Sequence, residues 1–495
     1  MAALIILDQT EAAASRSLLH RIFSFPVAIS ALLVVLAVFT ARGRLSDPDL
    51  WWHLRTGELI WNTHSIPHVD PFSFTVAGHP WTAQEWLSQL TLYAVYRLGG
   101  YAGLMIWLCV MTSLIVVGGY LLSALYSGNV KLAFLGGMTT WLFATTGVSV
   151  RPQLIGYVLL IVELLILHLG RTRHARWLFA LPPLFALWIN VHSSFLFGLM
   201  VFAIVLVCSF LNLRWGLLVS VPWERRTHVQ LTISFALSLA ALFLNPLGAK
   251  PIWYPLDVLF RQPMNLGLIT EWQPDFSPAR EWALLVVPSL VLLIPLLTRV
   301  ELQLDEFLLT ALPFYFAVRH MRMEFPFGIL VAPIVCRLLA GAWEQYKPER
   351  DRLWPNALVL ALAALTVFLA FPGPRNLASQ MEKANPVKAL AYIRRSGLAG
   401  RMLNDYAFGG YLLWAAPERK VFIDPRADLY DPAGILKEYA QFVGLAGDPR
   451  PMLDKYRIDF CLLAPDEPVA RVLQFLPGWK KVYSDGQAVV LARQN

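Results

Sequence analysis

Residues 24–57 read SFPVAISALLVVLAVFTARGRLSDPDLWWHLRTG. An uninterrupted apolar run gives way, within a few residues, to two carboxylates, two tryptophans, a histidine and an arginine. The run at 24–41 is close to the roughly 20 residues that a straight membrane helix needs. It has no clear small-residue cleavage site, so it reads as a retained anchor and not as a leader peptide. The polar stretch after it is then a loop held at a membrane surface.

Further apolar runs follow at 102–125, 131–149, 153–169, 177–190, 194–212, 229–247, 283–298, 304–318, 325–342 and 354–371. With the first, they predict an all-α polytopic transmembrane bundle of about eleven helices. The least regular run is 177–190, where Asn190, Val191, His192, Ser193 and Ser194 break a longer stretch; it reads as a tight turn or as a broken helix lining a cavity. Placing the N-terminus, with Arg16 and Arg21, in the cytoplasm puts three basic clusters on that same side: Arg171, Arg173 and Arg176; Arg214, Arg225 and Arg226; Lys347, Arg350 and Arg352. Arg42, Arg44, Arg319 and Arg322 land on the opposite side, together with the loop 42–101, the segment 248–282 and everything after 371.

Composition agrees. The 495 residues are 57% hydrophobic and only 15% charged, against roughly 25% charged in soluble domains, and the mean hydropathy is +0.53. A chain this apolar uses lipid as part of its solvent. Its net charge of +8 follows from the basic bias of cytoplasmic loops and does not call for a nucleic-acid partner. The cysteines, Cys109, Cys208, Cys336 and Cys461, show no CxxC spacing, so neither a disulfide framework nor a cysteine metal cluster is expected.

After residue 371 the character changes. Asn385-Pro386 opens a helix that Gly397 ends. Strand-like runs follow at 401–405, 420–424, 458–463, 480–484 and 487–492, with helical stretches near 433–443 and 467–476. Two domains result: 1–371, the membrane bundle with its outer loop, and 372–495, a small periplasmic α/β domain.

The candidate chemistry starts with Asp47-Pro48-Asp49. Pro48 fixes its own φ and biases Asp47 to an extended backbone, so the two side chains are held in place. Such a pair can bind a divalent cation, Mg or Mn, or supply a general base toward a hydroxyl or amine. Equally, Asp49 can cap a helix from Leu50 to Trp61. Trp51 and Trp52 offer flat faces for a sugar ring, or else belong to an interfacial aromatic belt; His53 and Arg55 can meet a phosphate. Asp70 before Pro71 marks a turn. Glu85 lies in an amphipathic stretch with Trp81, Trp86 and Leu87, and reads as a solvated face or as a further site carboxylate. A second group is expected on the same outer face: Arg151, Asn190, His192, Glu271, Arg319 and Arg322. Ionisable residues near membrane depth are costly, and together these make an arginine-rich site suited to a lipid phosphate. In the C-terminal part, Gly409-Gly410 lacks the spacing of a phosphate loop. Asp424, Arg426 and Asp428 read as an internal salt bridge or an acceptor site.

A helix, an outer loop with paired acids, many further helices and an outer α/β domain resemble the GT-C class of membrane glycosyltransferases, which includes protein mannosyltransferases and the lipid A aminoarabinose transferase. More closely, DPDLWWHLRTG, WTAQEWL, RPQL, EWQP, GGYLLW and FIDPRAD resemble a large group of bacterial polytopic membrane proteins. The resemblance implies transfer of a sugar from a polyprenyl-phosphate donor to a lipid, glycan or protein acceptor, outside a bacterial inner membrane. It implies that one of Asp47 and Asp49 is the general base or a metal ligand, and that outer arginines hold the carrier phosphate. Two rivals stand beside it. A transporter or flippase of lipid-linked glycans needs charge through the mid-membrane, where Glu163 is the main charged residue; a non-catalytic scaffold needs no cavity at Asp47 and Asp49.

Overall fold

The computed structural model describes residues 18–275 and 277–494. Arg16, one of the cytoplasmic markers, lies outside them. The chain divides into two compact units, each assembled from three separate stretches. One comprises the chain to Arg42, Met105–Ala249 and Thr270–Phe371; the other comprises Gly43–Leu104, Lys250–Ile269 and the chain from Pro372.

The first unit holds most of the apolar helices; the stretch Trp86–Ser127 begins in the second unit and is broken at Gly100, where φ is 56° and ψ −142°. Each apolar run of the sequence is helical over most of its length. Among the described residues, four helices are long and apolar enough to cross a membrane by length and composition: Trp86–Ser127, Gln153–Thr172, Arg280–Thr298 and Leu353–Ala370. Shorter apolar helices accompany them at Phe25–Ala41, Ala133–Ala144, Ala175–Val191 and Phe195–Cys208. The Glu324–Leu338 helix is buried along nearly its whole length. Close approach depends on small residues, as is usual for helices packed without water. Ser123 and Cys336 lie where a side chain on Gly136 would stand, and Phe143 lies where one on Gly328 would stand. The irregular run ends as a turn: the Leu181–Val191 helix stops at His192 and the next begins at Phe195, with Trp188 Nε1 donating to Ser194 Oγ at 2.9 Å. A small sheet also belongs here, in which β1 (Leu213–Trp215) pairs antiparallel with β2 (Leu218–Ser220), and β2 pairs parallel with β3 (Leu302–Gln303).

The second unit is built on a four-stranded mixed sheet in the order β4-β5-β7-β6. β4 (Arg401–Asn404) runs parallel to β5 (Ile458–Leu463); β7 (Val489–Arg493) runs antiparallel to β5 and to β6 (Trp479–Ser484). The strand expected at 420–424 is not part of this sheet. Val421 instead lies beside the 72–74 backbone, accepting from Phe74 N–H at 3.1 Å and donating to Phe72 O at 3.3 Å. The loop contributes to the core as well: Phe72, Val76, Trp81 and Ala83 are buried among Leu403, Phe422, Ile423 and Phe460. The Pro48–Thr63 helix packs against the Tyr406–Ala415 helix, and Gly410 lets the Pro48 carbonyl approach to where a side chain would stand.

Candidate functional site

Each unit carries a polar cluster that gathers some of the predicted residues. In the sheet-bearing unit it begins at the acidic motif. Asp47 is extended, with φ −114° and ψ 132°, and its carboxylate accepts from Asp49 N–H at 2.9 Å. The N-cap is therefore Asp47 and not Asp49, because Pro48 is already helical and needs no N–H partner at the first position. Asp49 stands in the first turn, half-buried, and accepts from Trp52 Nε1 at 3.3 Å.

The two tryptophans separate. Trp51 is fully buried between Tyr411 and Tyr101, with ring centroids at 5.2 and 6.2 Å, so it has no face to offer a sugar and serves packing. Trp52 is half-buried and lies 3.7 Å, centroid to centroid, from His53. His53 is itself buried, and its Nδ1 stands 3.9 Å from Glu85 Oε2. Glu85 is only 9% exposed, which overturns its reading as a solvated face; the amphipathic pattern around it turns its polar side into the unit, not outward. Arg55 pairs with Glu58 at 2.5 Å, three residues along its own helix, so its charge is already matched.

One residue joins this line that no sequence motif marked. Tyr254, on the Lys250–Arg261 helix, is hydrogen-bonded to the Asp428 carboxylate and to the Gln84 side chain, and it feels the Glu85 charge. Burial, then the charges of Asp428 and Glu85, push its hydroxyl well above the ordinary tyrosine range, so it stays protonated. Burial likewise raises Asp428, against the opposing pull of Arg426 and of the Tyr254 hydrogen bond. An amphipathic period runs through 250–261, but Pro255 in its interior argues against a helix, which is why the sequence concealed it.

Asp424 and Arg426 form the expected internal salt bridge. Arg426 Nε and Nη2 donate to Asp424 Oδ1 and Oδ2 at 2.7 and 2.6 Å, and Nη2 also meets Asp70 Oδ1 at 2.8 Å. Tyr430 donates to the same Asp424 carboxylate at 2.6 Å. The guanidinium lies 4.6 Å from the Trp81 ring centroid and 5.1 Å from that of Phe72. Burial disfavours its charge, yet Asp424, Tyr430 and Asp70 outweigh that and hold it protonated well above the ordinary range. Trp81 is accordingly part of the core. Asp70 does make the expected turn, accepting from Ser73 N–H at 2.9 Å, and it also neutralises Arg426.

In the apolar unit, two short turns come together, Thr270–Trp272 and Met321–Met323. His320 Nδ1 bonds Trp272 O at 2.7 Å, Met321 N–H donates to Gln273 O at 2.9 Å, and the Arg322 guanidinium lies 4.2 Å from the Trp272 ring centroid. Glu271 pairs with Arg151 at 2.5 Å. Arg322 is close enough to Tyr157 and His192 to act on both electrostatically. Four predicted residues thus gather: Arg151, Glu271, Arg322 and His192. His192 Nδ1 accepts from Ser194 N–H at 3.1 Å, which leaves Nε2 as the protonated nitrogen of a neutral ring. Arg319 does not join them. It is exposed and lies over Tyr315, one turn back on its own helix, at 5.6 Å.

Among the described residues, no group of three or more His, Cys, Asp or Glu is arranged to hold a metal ion.

The fold has solved counterparts. The Archaeoglobus fulgidus oligosaccharyltransferase tethered to an acceptor peptide matches 96% of this chain and 75% of its own, at 13% identity and TM-score 0.56. The complex of the same organism's oligosaccharyltransferase AglB with an inhibitory peptide and a dolichol-phosphate matches 88% of this chain and 69% of its own, at 12% identity and TM-score 0.52. ArnT from Cupriavidus metallidurans, bound to undecaprenyl phosphate, matches 94% and 97%, at 14% identity and TM-score 0.48. These neighbours are GT-C class glycosyltransferases, the class that the motifs resemble; at such identities the likeness is one of fold. No protein-family model and no curated protein matches the chain.

Proposed function

We propose that this chain is a membrane glycosyltransferase that moves a sugar from a polyprenyl-phosphate-linked donor to an acceptor at the periplasmic face of a bacterial inner membrane. The observation that carries the reading is the start of the Pro48–Thr63 helix, in a chain whose fold is shared with an oligosaccharyltransferase. Asp47 caps that helix and so fixes the backbone from which Asp49 projects. Asp49 is the more exposed of the two acids and follows the apolar helix directly.

In this reading Asp49 is the general base. It takes the proton from the acceptor hydroxyl or amine as that atom bonds to the anomeric carbon of the sugar. The bond from the anomeric carbon to the phosphate oxygen breaks, and the polyprenyl phosphate leaves with the electron pair. Trp52, half-buried beside His53, is the ring face assigned to the sugar. Within the apolar unit taken by itself, Arg322 is the arginine best suited to an anionic head group: among the described residues it meets no carboxylate and is held against Trp272, whereas Arg151 is matched by Glu271. Neither step is routed through a metal.

Sugar transfer from radiolabelled polyprenyl-phosphate sugars, in membranes with matched protein levels, tests the reading. Asp49→Asn is expected to lower transfer by about 100-fold or more, the range of a lost general base. Asp47→Asn is expected to keep it, because asparagine caps a helix as well as aspartate does. Equal transfer in both variants and the wild type would overturn the proposal and leave a transporter or a scaffold.

A further inference from the structure

We infer that the Lys250–Arg261 helix is an in-plane membrane anchor, whose exposed apolar face takes the anionic phospholipid surface of the bilayer. At 100° per residue, all of its residues but Pro255 fall into three sectors. Ile252, Trp253, Leu256, Leu259 and Phe260 share an arc of roughly 120°. Trp253 is 64% exposed, Phe260 77% and Leu259 47%. Beside that arc runs a narrow strip of Lys250, Asp257 and Arg261. Beyond it lies the inward sector of Pro251, Tyr254 and Val258, in which Pro251 and Val258 are buried and Tyr254 reaches Asp428 and Gln84.

This division points to lipid. Apolar residues that wide open to water on so short a helix mark a surface that is covered in use. An interfacial helix buries one apolar face to the depth of the acyl boundary and keeps cations along its edge, at the level of the phosphates. Lys250 and Arg261 stand at that edge, at opposite ends of the helix. Asp257 pairs with Arg261 at 3.4 Å, the Arg261 side chain being mostly open to water and that of Asp257 39% exposed, so the strip keeps a net positive charge of one, two cations less one anion. In the sequence the helix lies between the apolar runs 229–247 and 283–298, so the chain leaves the bilayer shortly before it and returns shortly after. The inward face carries Tyr254 beside Glu85, so one helix joins the lipid surface to the polar line of its own unit.

The test needs no turnover and is independent of any glycosyltransferase activity. Cys109, Cys208, Cys336 and Cys461 are buried, so a cysteine added to the helix can be spin-labelled selectively in the full-length protein. Trp253→Cys and Phe260→Cys sample the apolar arc, Asp257→Cys samples the strip, and Leu259→Cys replaces either arc variant that does not melt as the wild type does. In nanodiscs of mixed phosphatidylcholine and phosphatidylglycerol, collision rates are measured with oxygen, which concentrates in lipid, and with a water-soluble nickel chelate. A several-fold higher oxygen-to-nickel ratio at 253 and 260 than at 257 is expected. Nickel access at all three positions would place the helix in water. Exclusion of both reagents at 253 and 260 would mean that protein covers the face. Either result overturns the inference.

Discussion

Asp47 and Asp49 show how two like residues in one motif divide their roles. The preceding chain and Pro48 hold Asp47 extended, which makes its carboxylate a cap, while Asp49 sits in the first turn, half-buried. Replacing Asp47 with alanine is expected to cost about 1 kcal/mol of stability, and Asp47→Asn only a small fraction of that, as read by thermal melting in detergent. Arg426 poses a harsher case. It is a fully buried cation that two carboxylates, a tyrosine and two aromatic rings surround. Arg426→Met would leave Asp70 and Asp424 buried without their counter-charge, and a loss of about 3–5 kcal/mol is expected. Adding Asp424→Asn to that variant should recover part of the loss; melting temperatures that are unchanged in the single variant would show that the pair is solvated in solution.

At the scale of elements, the helix pair Pro48–Thr63 and Tyr406–Ala415 depends on missing side chains. Gly410 lies in the middle of a helix, where alanine ordinarily gains about 0.5–1 kcal/mol. Here a Cβ would occupy the space of the Pro48 carbonyl oxygen, and overpacking of that kind costs about 1–3 kcal/mol. The backbone contact cannot yield as a flexible side chain would, so Gly410→Ala is expected to lower the melting temperature and, by moving Pro48, to reduce any transfer that depends on Asp49. A melting temperature above the wild type would mean that the two helices are less close than the structure has them. The Gly-Gly-Tyr motif therefore serves helix packing, in accord with its lack of phosphate-loop spacing.

For the whole molecule, the notable point is that neither compact unit is one continuous stretch of chain. The C-terminal sheet shares its core with Phe72, Val76, Trp81 and Ala83, and its buried arginine needs Asp70, Phe72 and Trp81. Residues 372–495 expressed alone are thus expected to be loosely packed, with native-like far-ultraviolet but weak near-ultraviolet circular dichroism. Co-expression with 43–104 is expected to improve solubility. A sharp two-state melt of the isolated fragment would contradict this account.

The sequence by itself determined the apolar helices, their approximate bounds, the helix after Asn385-Pro386 and the strands at about 401–405 and 458–463, and it offered the Asp424–Arg426 salt bridge as one of two readings. Each of these follows from local physics: the length and period of an apolar run, a cap, or two opposite charges two residues apart. Only the tertiary structure decided that Glu85 faces inward to His53, that Trp51 is core while Trp52 is not, that 420–424 pairs with the first loop, and that Tyr254 meets Asp428. Those facts join positions tens to hundreds of residues apart, and an amphipathic period says which residues share a face but not what that face meets. The same distinction explains Arg319 and Arg322, three positions apart and alike in sequence. One lies over a tyrosine of its own helix, and the other stacks on Trp272, which only folding brings near.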